Sequence, residues 1–123
     1  MNAEQRQCAD AADWLEDHEL VKGHYWADEM GNQVEEEREL VEMACLIGCL
    51  MIVEDRDPDY SAGTTEEACN LVYMHLEQWE GQDMDYVYDG SLIRYSDHPE
   101  RSREDVIRAL RGGAKLPPVE EVK

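Results

Sequence analysis

Apolar residues recur at helical spacing over four stretches of the chain, and one stretch is apolar on every side. From Met43 to Val53 no charged residue occurs, and the wider segment Arg38 to Val53, RELVEMACLIGCLMIV, passes from amphipathic to wholly apolar. Leu, Met and Ala favour helix, and a helix apolar all round is one that neighbours bury on every side. The pattern predicts a central core helix over 38–53. Cys8, Ala11, Ala12 and Leu15, widened by Trp14, give residues 3–19 an inner face, opposite Asp10, Asp13, Glu16 and Asp17. Ala68, Leu71, Val72, His75 and Trp79 share one face of a third helix, with Leu76 and Tyr73 flanking it. Thr64 and Glu67 supply a capping box at its start. Val106, Ile107 and Leu110 stripe a last helix, capped by Ser102 and ended by Gly112-Gly113.

Between the first two helices the period changes. Val21, Tyr25 and Trp26 favour strand, and Met30-Gly31-Asn32 reads as a turn, so residues 20–34 predict a short β-hairpin. Gly81 to Gly90, GQDMDYVYDG, reads as a loop or short extended segment. The expected fold is α+β and mostly α, about four helices packed around the central one with a short hairpin. Residues 1–116 form one domain, and Pro117-Pro118 open a loose tail over 117–123.

Charge changes the picture most. The 123 residues carry a formal net charge of -19, and 42% of them are hydrophobic, enough for a packed core. Residues 1–93 hold 24 acidic and 4 basic side chains, whereas 94–123 hold 6 and 7. A field of this sign repels nucleic acid and anionic membranes and attracts basic partners. No secretory leader is recognisable, and the apolar run at 43–53 is far short of a membrane span of about 20 residues. The expectation is a soluble, cytoplasmic protein whose Cys8, Cys45, Cys49 and Cys69 are reduced and buried.

Candidate chemistry is sparse. Cys45 and Cys49 lie one helical turn apart, but nothing nearby completes a zinc set, so no metal or cofactor is expected. Asp55, Asp57 and Asp59, with Glu66 at position twelve when Asp55 is counted as one, resemble a calcium loop. Tyr60 stands where that loop needs glycine, and Pro58 fits it poorly, so an acidic inter-helix loop is the better reading. His24, Tyr25 and Trp26 form a pocket with Asp97 and His98 if the fold brings the two segments together. His75 reads as a core or boundary histidine. The acidic surface offered to a partner comprises Asp13, Glu16, Asp17, Glu35, Glu36, Glu37, Asp55, Asp57, Asp59, Glu77, Glu80, Asp83 and Asp85.

Three blocks, HELVKGHYWADEMGNQV, ACLIGCLMIV and IRYSDHPERSREDVIRALRGGA, together resemble a domain-of-unknown-function family of actinobacteria and their phages. Gly23, Cys45, Gly48, Asp97 and Val106 match its short motifs over residues 12–114. Val21-Lys22, Ala44 and Tyr95-Ser96 depart from them, standing where the family has Trp-Cys, Trp and Trp-Asn. The resemblance implies a compact, mostly helical domain of actinobacterial or phage origin and assigns no activity. With no catalytic set, the expected function is a non-enzymatic protein-binding factor, in its narrowest form a phage inhibitor that presents a DNA-like face to a basic host protein. The alternatives are a small ligand-binding domain or enzyme using His24 and Asp97, and a calcium-binding loop at Asp55–Glu66.

Overall fold

The computed structural model describes residues 2–35, 37–58, 60–81 and 88–115. Among them lie five α-helices, α1 Ala3–Glu16, α2 Leu46–Arg56, α3 Ala62–Gln78, α4 Tyr88–Asp97 and α5 Arg103–Lys115. Three two-residue strands, β1 Glu19–Leu20, β2 Trp26–Ala27 and β3 Met43–Ala44, form a sheet of order β1-β3-β2. The mostly helical α+β class is as expected. No helix among the described residues is long and apolar enough to cross a membrane. The tail from residue 117 lies outside the described residues.

The central apolar segment is not one helix. Arg38–Leu40 is a single 3₁₀ turn, and Met43-Ala44 is the middle strand, parallel to β1 and antiparallel to β2. Its neighbours bond back to β2, Glu42 N–H to the Ala27 carbonyl at 2.9 Å and Cys45 N–H to the Tyr25 carbonyl at 3.1 Å. Helix begins at Leu46, after extended Cys45, whose Sγ accepts the Gly48 N–H at 3.3 Å as a cap. A segment buried on all sides gives the same apolar run as strand or as helix, so periodicity does not place that boundary. The hairpin expected over 20–34 is correspondingly more than a hairpin. Trp26-Ala27 returns antiparallel through an Ala27–Gln33 bridge, but the strand beside it is β3. The turn itself forms as expected, with Gly31 at φ +86 and Asp28 accepting the Met30 and Asn32 N–H groups at 2.9 Å each.

Helix ends also moved for local reasons. α1 stops at Glu16 because Glu19-Leu20 leaves to pair with Met43-Ala44. Asn2 and Gln5 cap its start reciprocally at 2.9 and 2.8 Å. α3 starts earlier than expected, with Ser61 as cap and Thr64 as its reciprocal partner, and Trp79 becomes its C-cap, 68% exposed rather than on the inner face. α4, which the sequence reading left without an element, occupies the end of the expected loop and continues to Asp97.

α5 does not end at Gly112-Gly113 but runs through it to Lys115. There the helix lies directly on α3: a Cβ at Gly112 would overlap the His75 ring, and one at Gly113 would sit 3.1 Å from Val72. These glycines serve close helix packing, not termination. The core joins all five helices around Leu15, Leu46, Leu50, Ile52, Leu76, Leu92 and Leu110. Buried Gln7 crosses it, donating to the Leu50 carbonyl at 3.0 Å and to Thr65 Oγ1 at 2.7 Å, while Thr65 donates to Glu54 at 2.8 Å. One polar chain thereby ties α1, α2 and α3 in register.

The sheet rests on α2 at Gly48. A Cβ there would overlap the Tyr25 carbonyl, and Trp26 Nε1 donates to the Gly48 carbonyl at 2.8 Å. Since backbone rather than a movable side chain blocks that space, Gly48→Ala is expected to destabilise the fold by about 1–3 kcal/mol. Gly63→Ala, with only an ordinary 3.7 Å contact to Ser61, is expected to be neutral or to stabilise by about 0.5 kcal/mol. Urea midpoints of the two variants check the contrast.

Candidate functional site

Gly23, at φ +85, turns the chain so that its N–H donates to the Asp97 carboxylate at 3.1 Å, and Lys22 Nζ donates to the His98 carbonyl. These bonds bring the 20–27 segment and the end of α4 together. His24, Tyr25 and Asp97 therefore line one depression of about 260 Å³ with Gly23, Gln33, Cys45 and Ile93. Two of the five expected pocket residues lie elsewhere. Trp26 is buried beneath, bonded to Gly48, and His98 is turned to its own loop, where Nδ1 accepts the Glu100 N–H at 3.1 Å.

The chemistry available in this depression is limited. Among the described residues His24 forms no hydrogen bond to a carboxylate, and Asp97 is held by backbone. Burial pushes the Cys45 thiol up to about 11, with the Asp97 charge adding to it and the Gly48 N–H opposing. Cys49 is raised well above its ordinary value, and Cys8 is raised strongly too, burial being the first cause in both. All four cysteines are buried and none is in a disulfide. A nucleophilic cysteine needs its thiolate favoured; here the thiol is favoured. Among the described residues no group of three or more His, Cys, Asp or Glu side chains has the arrangement to hold a metal ion.

Of the expected calcium-loop residues, Asp55 lies in the last turn of α2 and Glu66 in the second turn of α3, and Asp59 lies outside the described residues. Tyr60 is buried, donating to Asp10 at 2.7 Å and accepting from Arg6 Nε at 3.0 Å.

The structure divides the expected acidic surface in two. Asp13 and Glu16 each lie 3.0 Å from Arg111, and Glu80 contacts His75 at 2.8 Å and Arg108 at 4.0 Å. Arg103 meets Glu104 at 3.4 Å and Glu19 at 3.9 Å, and Arg108 meets Asp105 at 2.9 Å. A depression of about 640 Å³ between α1, α3 and α5 is thus lined by Arg103, Arg108 and Arg111, each paired with a carboxylate, and by Lys115. Asp17 is exposed at the end of α1, Glu77 accepts from Tyr73 at 3.2 Å, and Asp55 and Asp57 flank the α2–α3 link. Glu36, Asp59, Asp83 and Asp85 lie outside the described residues.

The other part is the segment 28–42. Glu29, Glu35, Glu37, Glu39 and Glu42 are exposed there, and among the described residues Glu29, Glu37, Glu39 and Glu42 form no ion pair. Met30 is 79% and Leu40 47% exposed between them. Glu29, Glu39 and Glu42, with the two exposed apolar side chains, were absent from the expected surface, although their density in the sequence was a readable signal.

The chain belongs to DUF6197, a family of unknown function, whose sequence model matches residues 3–116. No curated protein and no solved structure matches it.

Because Cys8, Cys45 and Cys49 stay protonated when folded, stability is expected to hold below pH 9 and to fall as pH rises from about 9, where unfolded thiols ionise, toward about 11. Denaturant midpoints against pH read this. In parallel, iodoacetamide at neutral pH should label the native chain far more slowly than the unfolded one.

Proposed function

We propose that this member of a family of unknown function is a non-enzymatic binding factor that uses an acidic surface to engage a basic protein. The observation that carries the reading is the separation of charge. The arginines Arg103, Arg108 and Arg111 on α5 are paired within the chain, and Glu29, Glu37, Glu39 and Glu42 are exposed along with Met30 and Leu40. Uncompensated carboxylates steer a basic partner over roughly a Debye length, about 8 Å at physiological salt. Exposed apolar groups then slow its departure. In its narrower form the reading makes the chain a phage-encoded inhibitor that occupies the nucleic-acid site of its target, carboxylates standing for phosphates.

A second reading, a small-ligand site, is favoured by the convergence of His24, Asp97 and Cys45 on one depression. It is the weaker of the two, since no hydrogen-bonded acid–base pair is assembled there.

The test is capture of partners from a lysate of the source organism, washed at low and at high salt. A basic protein retained at low salt, released at high salt, and lost from a Glu37→Lys/Glu39→Lys/Glu42→Lys variant is the expected result. Retention unaffected by the three reversals would overturn the reading. For the narrower form, duplex DNA should displace the captured protein.

A further inference from the structure

Three depressions adjoin one another through shared lining residues. The first, about 350 Å³, has Val34 and Leu40 between Asp28, Glu35 and Glu37. It shares Gln33 with the second, the 260 Å³ depression, whose apolar wall is Ile93 and whose acid is Asp97. The second shares Tyr25 with the third, about 460 Å³, where Ile47 and Met51 lie between Glu54 and Glu66. Each depression therefore repeats one chemistry, an apolar surface beside carboxylates, and Gln33 and Tyr25 stand as the ridges between them.

We infer that these depressions form a single docking track for an extended segment of a partner protein in which apolar and basic residues alternate. The inference rests on the acidic-binding reading above and names its surface and the chemistry of its occupant. An extended chain sends alternate side chains to opposite sides, with same-side residues about 7 Å apart. Apolar side chains on the inner side enter successive depressions, and the basic ones between them bend back on their long stems to the carboxylates along the edges. A helix would need one continuous apolar groove, and the ridges at Gln33 and Tyr25 interrupt it. Charge complementarity selects the occupant: the track carries Asp28, Glu35, Glu37, Asp97, Glu54 and Glu66 and no cation among the residues that line it. Nucleic acid and anionic lipid are repelled by the same side chains.

The probes are two fluorescent octapeptides, one alternating arginine with leucine and one alternating arginine with serine, titrated against the full chain. The leucine peptide is expected to bind about tenfold tighter. Tyr25→Ser and Leu40→Ser alter exposed side chains at either end of the first two depressions, and unchanged circular dichroism and melting would verify their folds. Each should cut affinity for the leucine peptide several-fold and leave the serine peptide unaffected. Glu77→Lys, exposed on α3 and not among the residues that line the track, should weaken both peptides equally and slightly. If both peptides bind alike, or the Glu77 reversal matches the loss at Tyr25 and Leu40, the track is wrong and the acidic reading survives. Failure of both peptides while a lysate protein is still captured by charge has the same meaning. Failure of both peptides and of charge-dependent capture overturns the track and the reading beneath it.

Discussion

The missing side chain at Gly48 lets one backbone lie against another. The Tyr25 carbonyl occupies the space a Cβ would take, and that carbonyl also receives the Cys45 N–H while Trp26 reaches back to the Gly48 carbonyl. Three strands of two residues each cannot hold a sheet together by themselves. Here the sheet is fastened to the first turn of α2, and α2 is fastened in turn by Ser96 of α4, whose buried hydroxyl accepts the Leu46 N–H at 3.1 Å. The face that carries Tyr25, Gln33 and Asp97 depends on this junction. Moving the sheet off Gly48 would separate the depressions that meet there.

A second constraint sets where charge can act. In a chain of -19, stability requires some carboxylates to be neutralised, and α5 does this locally. Arg103, Arg108 and Arg111 collect acids from α1, β1, the segment just after α3 and α5 itself. Surface pairs of this exposure contribute little energy each, on the order of 0–1 kcal/mol. Their larger effect is on the shape of the field, because they offset the acids around α5 and leave Glu29, Glu37, Glu39 and Glu42 among its sources.

The same arrangement explains why the convergence of His24, Cys45 and Asp97 resembles a reactive site without equipping one. Cys45 is fixed as a helix cap in a buried position, and desolvation outweighs the backbone N–H groups that would favour its thiolate. Asp97 is occupied in holding Gly23. Side chains that look catalytic by type are used here to join α4, the sheet and α2.

Most of the fold class was legible in the sequence because α1, α3 and α5 are amphipathic, and one-sided burial leaves a period. The acidic surplus and its concentration before residue 94 were equally plain. Tertiary structure decided what periodicity does not encode. Met43-Ala44 became a central strand and Leu46–Arg56 a helix although one uninterrupted apolar run, 43–53, spans both; only the neighbours, β1 and β2 on either side of the first, separate them. Gly112-Gly113 stayed helical because α3 approaches there too closely for a side chain, a fact about two helices rather than one. Which carboxylates are paired within the chain and which face outward likewise depends on where α5 lies, and charges distant in sequence meet only when the chain has packed.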